Sequence, residues 1–352
     1  MSRECFEQRA YAALCGLALG DSIGMPTEFL PPEDIQSFYG RVEDLKNPDP
    51  RHYHFRDMKR GMITDDTEVT LEVMDAIARN GGVSLSAAVD ALETWAEKCD
   101  VFHKSYLGPT SKKALEAIQS GVDPVKAGRK GTTDGAAMRV VPIGILDKGA
   151  PDQAVRDAIT LSLPTHGSNR ALAGAAAIAA AVAEALTNNS TLESVLYAAR
   201  IGAERGQTQG YNMGKCRLIE NLDKFMTVSA EESDTGRFSG QIFDHIGYSL
   251  ESDDIVPVVL TIFYRSAGDP MKAVLVSANL GGDTDTIGAM AGALCGAFSG
   301  ISHINMGMVH EIEQINGLNF QERIDRFLSF QKQYCQSNTY KGPKKIMMEE
   351  VK

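Results

Sequence analysis

The chain has 352 residues, 43% hydrophobic and 23% charged, with a formal net charge of −11. A fold of this size can bury roughly 75% of its unfolded surface, so a core needs no disulfide or metal staple. The negative balance excludes a general affinity for nucleic-acid backbones, because no broad basic surface could neutralise phosphates; a small phosphorylated ligand held by backbone amides stays possible.

In chain order, Phe6, Ala10, Ala13, Leu14 and Leu17 fall at helical spacing and run into Gly20-Asp21-Ser22-Ile23-Gly24, where the glycines predict termination or a close turn. A polar stretch, 25–63, reads as a long loop and ends at Thr64-Asp65-Asp66-Thr67, which opens a helix through Glu68–Met74. Residues 84–98, 111–120, 151–161, 169–186 and 191–204 also read as helices, with Ser84 and Thr191 as N-caps and Pro151 in a first turn. Further loops are expected at 128–139, 205–218 and 228–242, and loops of this length are often functional. Helical patterns return at 255–267, 270–278 and 319–335, and an apolar, glycine-rich helix is expected after Asp283-Thr284-Asp285-Thr286. No period-2 ladder is evident; Val140–Leu146 is apolar, yet its proline and glycine argue against a central strand. The pattern predicts one all-α domain over 1–340 and a frayed lysine-rich tail over 341–352.

The six cysteines form no C-x-x-C pair, which reads as reduced thiols. The N-terminus lacks a basic and apolar leader, and the longest apolar run, Ala171–Ala183, is too short to span a bilayer. A soluble, cytoplasmic protein with no membrane partner is the expectation.

The two acidic clusters carry the chemistry. Each puts two carboxylates and two hydroxyls into four residues at a predicted helix start. Alone, either can be a cap, with threonine at the N-cap and aspartates meeting the helix dipole. Together they favour a metal site, since crowded carboxylates repel and no lysine or arginine lies nearby in sequence. Hard oxygen ligands suit Mg²⁺ or Mn²⁺ rather than zinc. Gly20–Glu28 is either a helix end with a surface Glu28 or a turn that brings Glu28 beside the metals. Gly131–Arg139 is either a surface loop or an anion nest, and His166 is either structural or near a ligand. No G-x-S-x-G elbow, phosphate-loop motif or zinc spacing is present.

The order Gly-Asp-Ser-Ile-Gly-Met-Pro-Thr-Glu, Thr-Asp-Asp-Thr, Gly-Ala-Ala-Met-Arg, Thr-His-Gly and Gly-Gly-Asp-Thr-Asp-Thr-Ile-Gly resembles the ADP-ribosylglycohydrolases from about Ala10 to Gly300. The resemblance implies a single compact orthogonal multi-helix domain with a binuclear Mg²⁺ or Mn²⁺ centre at helix N-termini. It implies Thr64, Asp65, Asp66, Asp283, Asp285 and Thr286 as metal residues and Glu28 as a proton-transfer residue; in the mechanism that follows, Asp66 or Glu28 would serve as general base or acid. Asp134, Gly135, Ala136, Ala137 and Met138 would hold a diphosphate, with His166 near the ADP-ribose. The implied partner is an ADP-ribosylated protein or a small ADP-ribosyl compound. Two departures are visible: Asp134 stands where many members have asparagine, and Leu107-Gly108-Pro109-Thr110 replaces the family's Asp-Ile-Gly element. An aspartate beside a diphosphate is unfavourable, so a smaller ribosyl compound is the alternative substrate. A metal-free pair of carboxylates, or a non-catalytic member comparable to the lens crystallins among the relatives, are the further alternatives.

Overall fold

The first helix packs against a late one, and around this pair the other helices gather. In the computed structural model, which describes residues 5–55, 57–104 and 106–337, the order is α1 (Phe6–Gly24), α2 (Pro32–Tyr39), α3 (Asp65–Arg79), α4 (Leu85–Lys98), α5 (Pro109–Gln119) and α6 (Pro124–Gly128). There follow α7 (Val141–Leu146), α8 (Pro151–Ser162), α9 (Asn169–Ala185), α10 (Leu192–Gly206), α11 (Leu218–Glu231) and α12 (Thr235–Ile246). The chain closes with α13 (Ser252–Arg265), α14 (Pro270–Ala278), α15 (Thr284–Ser299), α16 (Met306–Asn316) and α17 (Phe320–Ser337). Among the described residues there is no sheet, only two isolated bridges, Thr133 with Glu251 and Ser168 with Tyr211. None of the described helices is long and apolar enough to cross a membrane. The expected tail over 341–352 lies outside the described residues.

Small residues explain the centre. Gly16, Gly20 and Gly24 of α1 recur every four residues and face Gly292, Gly288 and Asp285 of the antiparallel α15. A Cβ on Gly16 would stand 2.2 Å from the Gly292 carbonyl oxygen, and one on Gly20 only 1.9 Å from that of Gly288. The backbones therefore touch, which only glycine permits. α1, α9 and α15 are buried nearly all round, as expected for helices apolar on every face. Arg9, itself fully buried, donates to the carbonyls of Ala185, Leu186, Thr187 and Ala297, and so closes the C-terminal ends of α9 and α15.

Ser84 and Thr191 accept from the third residue of their helices and Pro151 opens α8, as the sequence predicts; Ser168 caps α9 in the same way. Two expectations are corrected. The 25–63 stretch contains α2, started by Pro32 at a first-turn position, and 228–242 contains the end of α11 and most of α12, capped by Asp234. Glycines at 236 and 240 mask the second of these, because they weaken the helical pattern without breaking it. Inside α13, Pro257 cannot donate to the Asp253 carbonyl, and Asn221 Nδ2 donates there instead at 2.8 Å.

The packing predicts opposite outcomes for one substitution at two places. Gly240→Ala, with no atom within 4 Å of the new Cβ, should stabilise the protein by about 0.5–1 kcal/mol through helix propensity. Gly20→Ala should destabilise it by about 1–3 kcal/mol or more, because the two backbones must separate. Urea denaturation of both decides the matter; equal effects would refute the backbone contact.

A pH dependence follows from Asp147, at the end of α7, and Asp157 of α8. Both are buried, and their carboxyls lie close enough to shift one another. Burial, then the charge of Asp157, pushes the Asp147 carboxyl up to about 9. A raised folded-state value means stability that is full below the ordinary carboxylate range and is lost as pH rises toward 9. Asp147→Asn should therefore gain on the wild type as pH rises, by at most about 1.4 kcal/mol per unit. Melting temperatures at pH 5 and pH 8.5 measure this; a constant offset would refute it.

Candidate metal centre

The close α1–α15 contact sets the C-terminal end of α1 beside the N-terminus of α15, and α3 begins next to both. Asp21, on the last turn of α1, is fully buried. Its carboxylate accepts from Thr64 N at 3.0 Å and Oγ1 at 2.7 Å, and from Thr67 N at 3.1 Å and Oγ1 at 2.5 Å. Thr64 occupies the N-cap position of α3 without making a side-chain cap bond. Asp21 caps that helix from another element instead. Of the capping alternative for Thr64-Asp65-Asp66-Thr67, the positions hold, with Thr64 at the N-cap and Asp65 and Asp66 in the first turn, but the Thr64 side-chain cap bond does not form. The second cluster behaves alike: Asp283, at the N-cap position of α15, makes no side-chain cap bond.

Carboxylates from the two halves of the chain meet here. One oxygen each of Asp21, Asp66 and Asp285 lie within 4.8 Å of one another, and so do one each of Glu28, Asp283 and Asp285. Asp285 belongs to both triads. Thr286 Oγ1 donates to Asp66 Oδ2 at 3.4 Å, as does Thr64 Oγ1. Asp66 Oδ1, Glu28 Oε2 and Asp283 Oδ2 are buried and receive no donor. Burial, then the charge of Asp285, raises Glu28, Asp65 and Asp66 well above the usual carboxylate range, and burial brings Asp21 to about 7. Burial also raises Asp283 and Asp285, the first helped by Asp134 and the second by Asp283. Among the described residues no lysine or arginine pairs with any of them. Buried oxygens without donors, in an all-oxygen set, fit hard divalent cations.

Not every expected residue joins the triads. Asp65 is part-buried and stands outside them, since neighbouring residues on a helix point about 100° apart. Asp21, absent from the expected set, is present in them. Its signal was a lone aspartate on the apolar helix Phe6–Gly24, whose partner lies 43 residues on.

The 131–139 loop is held firmly. Thr133 bridges Glu251, Asp134 N donates to Leu250 O at 3.0 Å, and Arg139 reaches the Gly135 carbonyl and Thr165 Oγ1. His166, fully buried, bonds Thr133 Oγ1 through Nε2 at 2.9 Å and Thr165 Oγ1 through Nδ1 at 2.7 Å. Burial, then the Arg139 charge, lowers it well below the usual imidazole range, so it is neutral. It lies beneath Gly135, whose added Cβ would meet the ring at 3.0 Å. Ala136 and Ala137 expose no surface and Met138 only 5%, while Ala137 N and Met138 N both donate to Asp134 O.

Beside Glu28 opens an aromatic mouth. Phe29 N donates to Gly282 O and Gly282 N to Leu30 O, which ties the Glu28 turn to the second acidic cluster. His52 Nε2 bonds the Glu28 carbonyl at 2.9 Å. Next to them is a cavity of about 510 Å³ lined by Phe29, Phe38, Arg51, Tyr53 and Tyr248. Tyr53 and Tyr248 are 66% and 53% exposed. Neither this cavity nor a larger one, of about 790 Å³ between α9 and the 207–216 turn, is lined by a carboxylate of the triads.

The ADP-ribosylglycohydrolase family profile matches residues 2–337. Among similar proteins, YegU of Escherichia coli K12 is 33% identical over 93% of this chain and 98% of its own. The ADP-ribosyl-[dinitrogen reductase] glycohydrolase of Rhodospirillum rubrum is 25% identical over 94% and 98%. The ADP-ribosylarginine hydrolase Tri1 of Pseudomonas putida is 26% identical over 84% and 71%. A solved ADP-ribosylglycohydrolase-related protein complex shares the fold, with a TM-score of 0.67 at 23% identity over 94% of this chain and 99% of that one. With its all-α architecture and paired acidic helix starts, the chain belongs to the ADP-ribosylglycohydrolase family of hydrolases.

Proposed function

We propose that the carboxylate centre holds two divalent cations, Mg²⁺ or Mn²⁺, and that the protein hydrolyses the glycosidic bond between ADP-ribose and an acceptor, either a protein side chain or a small molecule. The observation that carries this reading is the pair of buried carboxylate triads sharing Asp285. Asp21, Asp66 and Asp285 would hold one cation; Glu28, Asp283 and Asp285 would hold the other. Thr64 fixes two of these carboxylates by donating to Asp21 and Asp66, and Asp65 and Thr286 flank them. When bound, the cations acidify a water and orient the ribose hydroxyls.

The chain's own residues do the rest. Glu28, at 9%, is the most exposed of the triad carboxylates, and it would take a proton from water and return one to the leaving group. Asp66, at 1% exposure, lies deeper and serves to hold charge. Tyr53 and Tyr248 offer faces on which an adenine can stack. All six cysteines are free, which supports a reducing, cytosolic setting.

A second reading, hydrolysis of a smaller ribosyl compound, is favoured by the 134–138 turn. Its buried alanines and its aspartate offer a diphosphate little surface.

The test is release of ADP-ribose from ADP-ribosylarginine, chosen because arginine is the acceptor named for one relative. Mn²⁺ at 100 times its Kd should raise stability by about 2.7 kcal/mol and support turnover, and EDTA should abolish both. Asp285→Asn should cost at least about 100-fold in activity, since it breaks both triads. Undiminished activity and Mn²⁺ affinity in that variant would overturn the mechanism. Mn²⁺ binding without turnover would turn the search to simple ribosides.

A further inference from the structure

The residue that the 131–139 loop turns toward the carboxylate centre is Asp134. Its carboxyl lies close enough to that of Asp283 for each to shift the other, although both are acceptors when ionised. Asp134 is 5% exposed, and its Oδ2 receives no donor; neither does Oδ2 of Asp283. The backbone allows no easy retreat. Asp134 N is bound to Leu250 O, Asp134 O accepts from Ala137 N and Met138 N, and Thr133 is fastened to both Glu251 and His166. Neither solvent nor a basic side chain relieves the pair, since among the described residues no ion pair reaches either member.

We infer that Asp134 is part of the cation seat: its carboxylate, with that of Asp283, faces a divalent cation, and the loop serves the metal centre rather than the diphosphate. Two carboxylates pressed together in a buried place are relieved either by a shared proton or by a positive charge beside them, and the neighbouring triad of Glu28, Asp283 and Asp285 favours the charge. Asparagine at this position would relieve the contact by donating to Asp283; the aspartate adds a negative charge instead.

The inference rests on the divalent-cation reading, and its test separates the two. Mn²⁺ affinity is measured by titration calorimetry on the full chain for the wild type, Asp134→Asn and Asp285→Asn, with melting temperatures in EDTA. The expected result for Asp134→Asn is a loss of about 10- to 100-fold in Mn²⁺ affinity together with an unchanged or higher melting temperature in EDTA. The rise would come from relief of like-charge contact, and it shows that the variant folds. Wild-type Mn²⁺ affinity in Asp134→Asn, beside a loss in Asp285→Asn, would overturn this inference alone and mark the pair as one sharing a proton. No Mn²⁺ binding by the wild type would overturn the metal reading and this inference with it.

Discussion

The backbone contact between α1 and α15 is the constraint on which the site depends. Carboxylates at a few ångströms repel by several kcal/mol at an effective dielectric of about 20, so something must hold them together. Here the glycine faces of two helices do so, with no side chains between them to spread the load. Because the helices run antiparallel and touch along their length, Asp21 at the end of one is carried to Asp285 at the start of the other. Asp21 then fastens the start of α3 through Thr64 and Thr67, which brings in Asp66. Three segments, far apart in sequence, are thus fixed by one packing contact and one carboxylate.

The helix N-termini contribute as well. α3 and α15 both begin at the centre, and each presents a partial positive charge of about half an elementary unit. That softens the crowding but does not balance the charges of Asp21, Glu28, Asp66, Asp283 and Asp285. The shortfall in positive charge is the feature that separates this centre from a set of helix caps.

Much of this was legible in the sequence, and what was missed has a physical cause. Two Thr-Asp-x-Thr-like clusters at helix starts are local signals, and glycine at every fourth position of the late helix marks a buried face. Asp21 was read only as part of a helix end, because its importance lies in bonds to residues 43 and 46 positions away. Asp65 and Asp66 look equivalent as letters, yet the helical rotation turns one into the centre and leaves the other at its edge. The 131–139 loop suggests an anion nest by composition, whereas in three dimensions two of its amides are spent on Asp134 O and its alanines are in the core. Composition reports what a loop could donate; only the fold reports which donors are left.

Geometry also weighs against a metal-free pair of carboxylates. Retaining glycosidases separate their two carboxyl groups by about 5–5.5 Å and inverting ones by about 6.5–9.5 Å, because a sugar carbon or a water must fit between them. Here three carboxylate oxygens in each triad lie within 4.8 Å of one another, and one residue serves both triads. Two carboxyls arranged for acid and base work need different surroundings to keep one protonated and one ionised. Asp21, Asp66, Asp283 and Asp285 instead share a single buried environment, all raised in the same direction by burial and by one another. Glu28 shares it, raised by burial and by the charge of Asp285. Crowded, enclosed carboxylates of this kind suit the collection of positive charge better than acid and base work by an isolated pair.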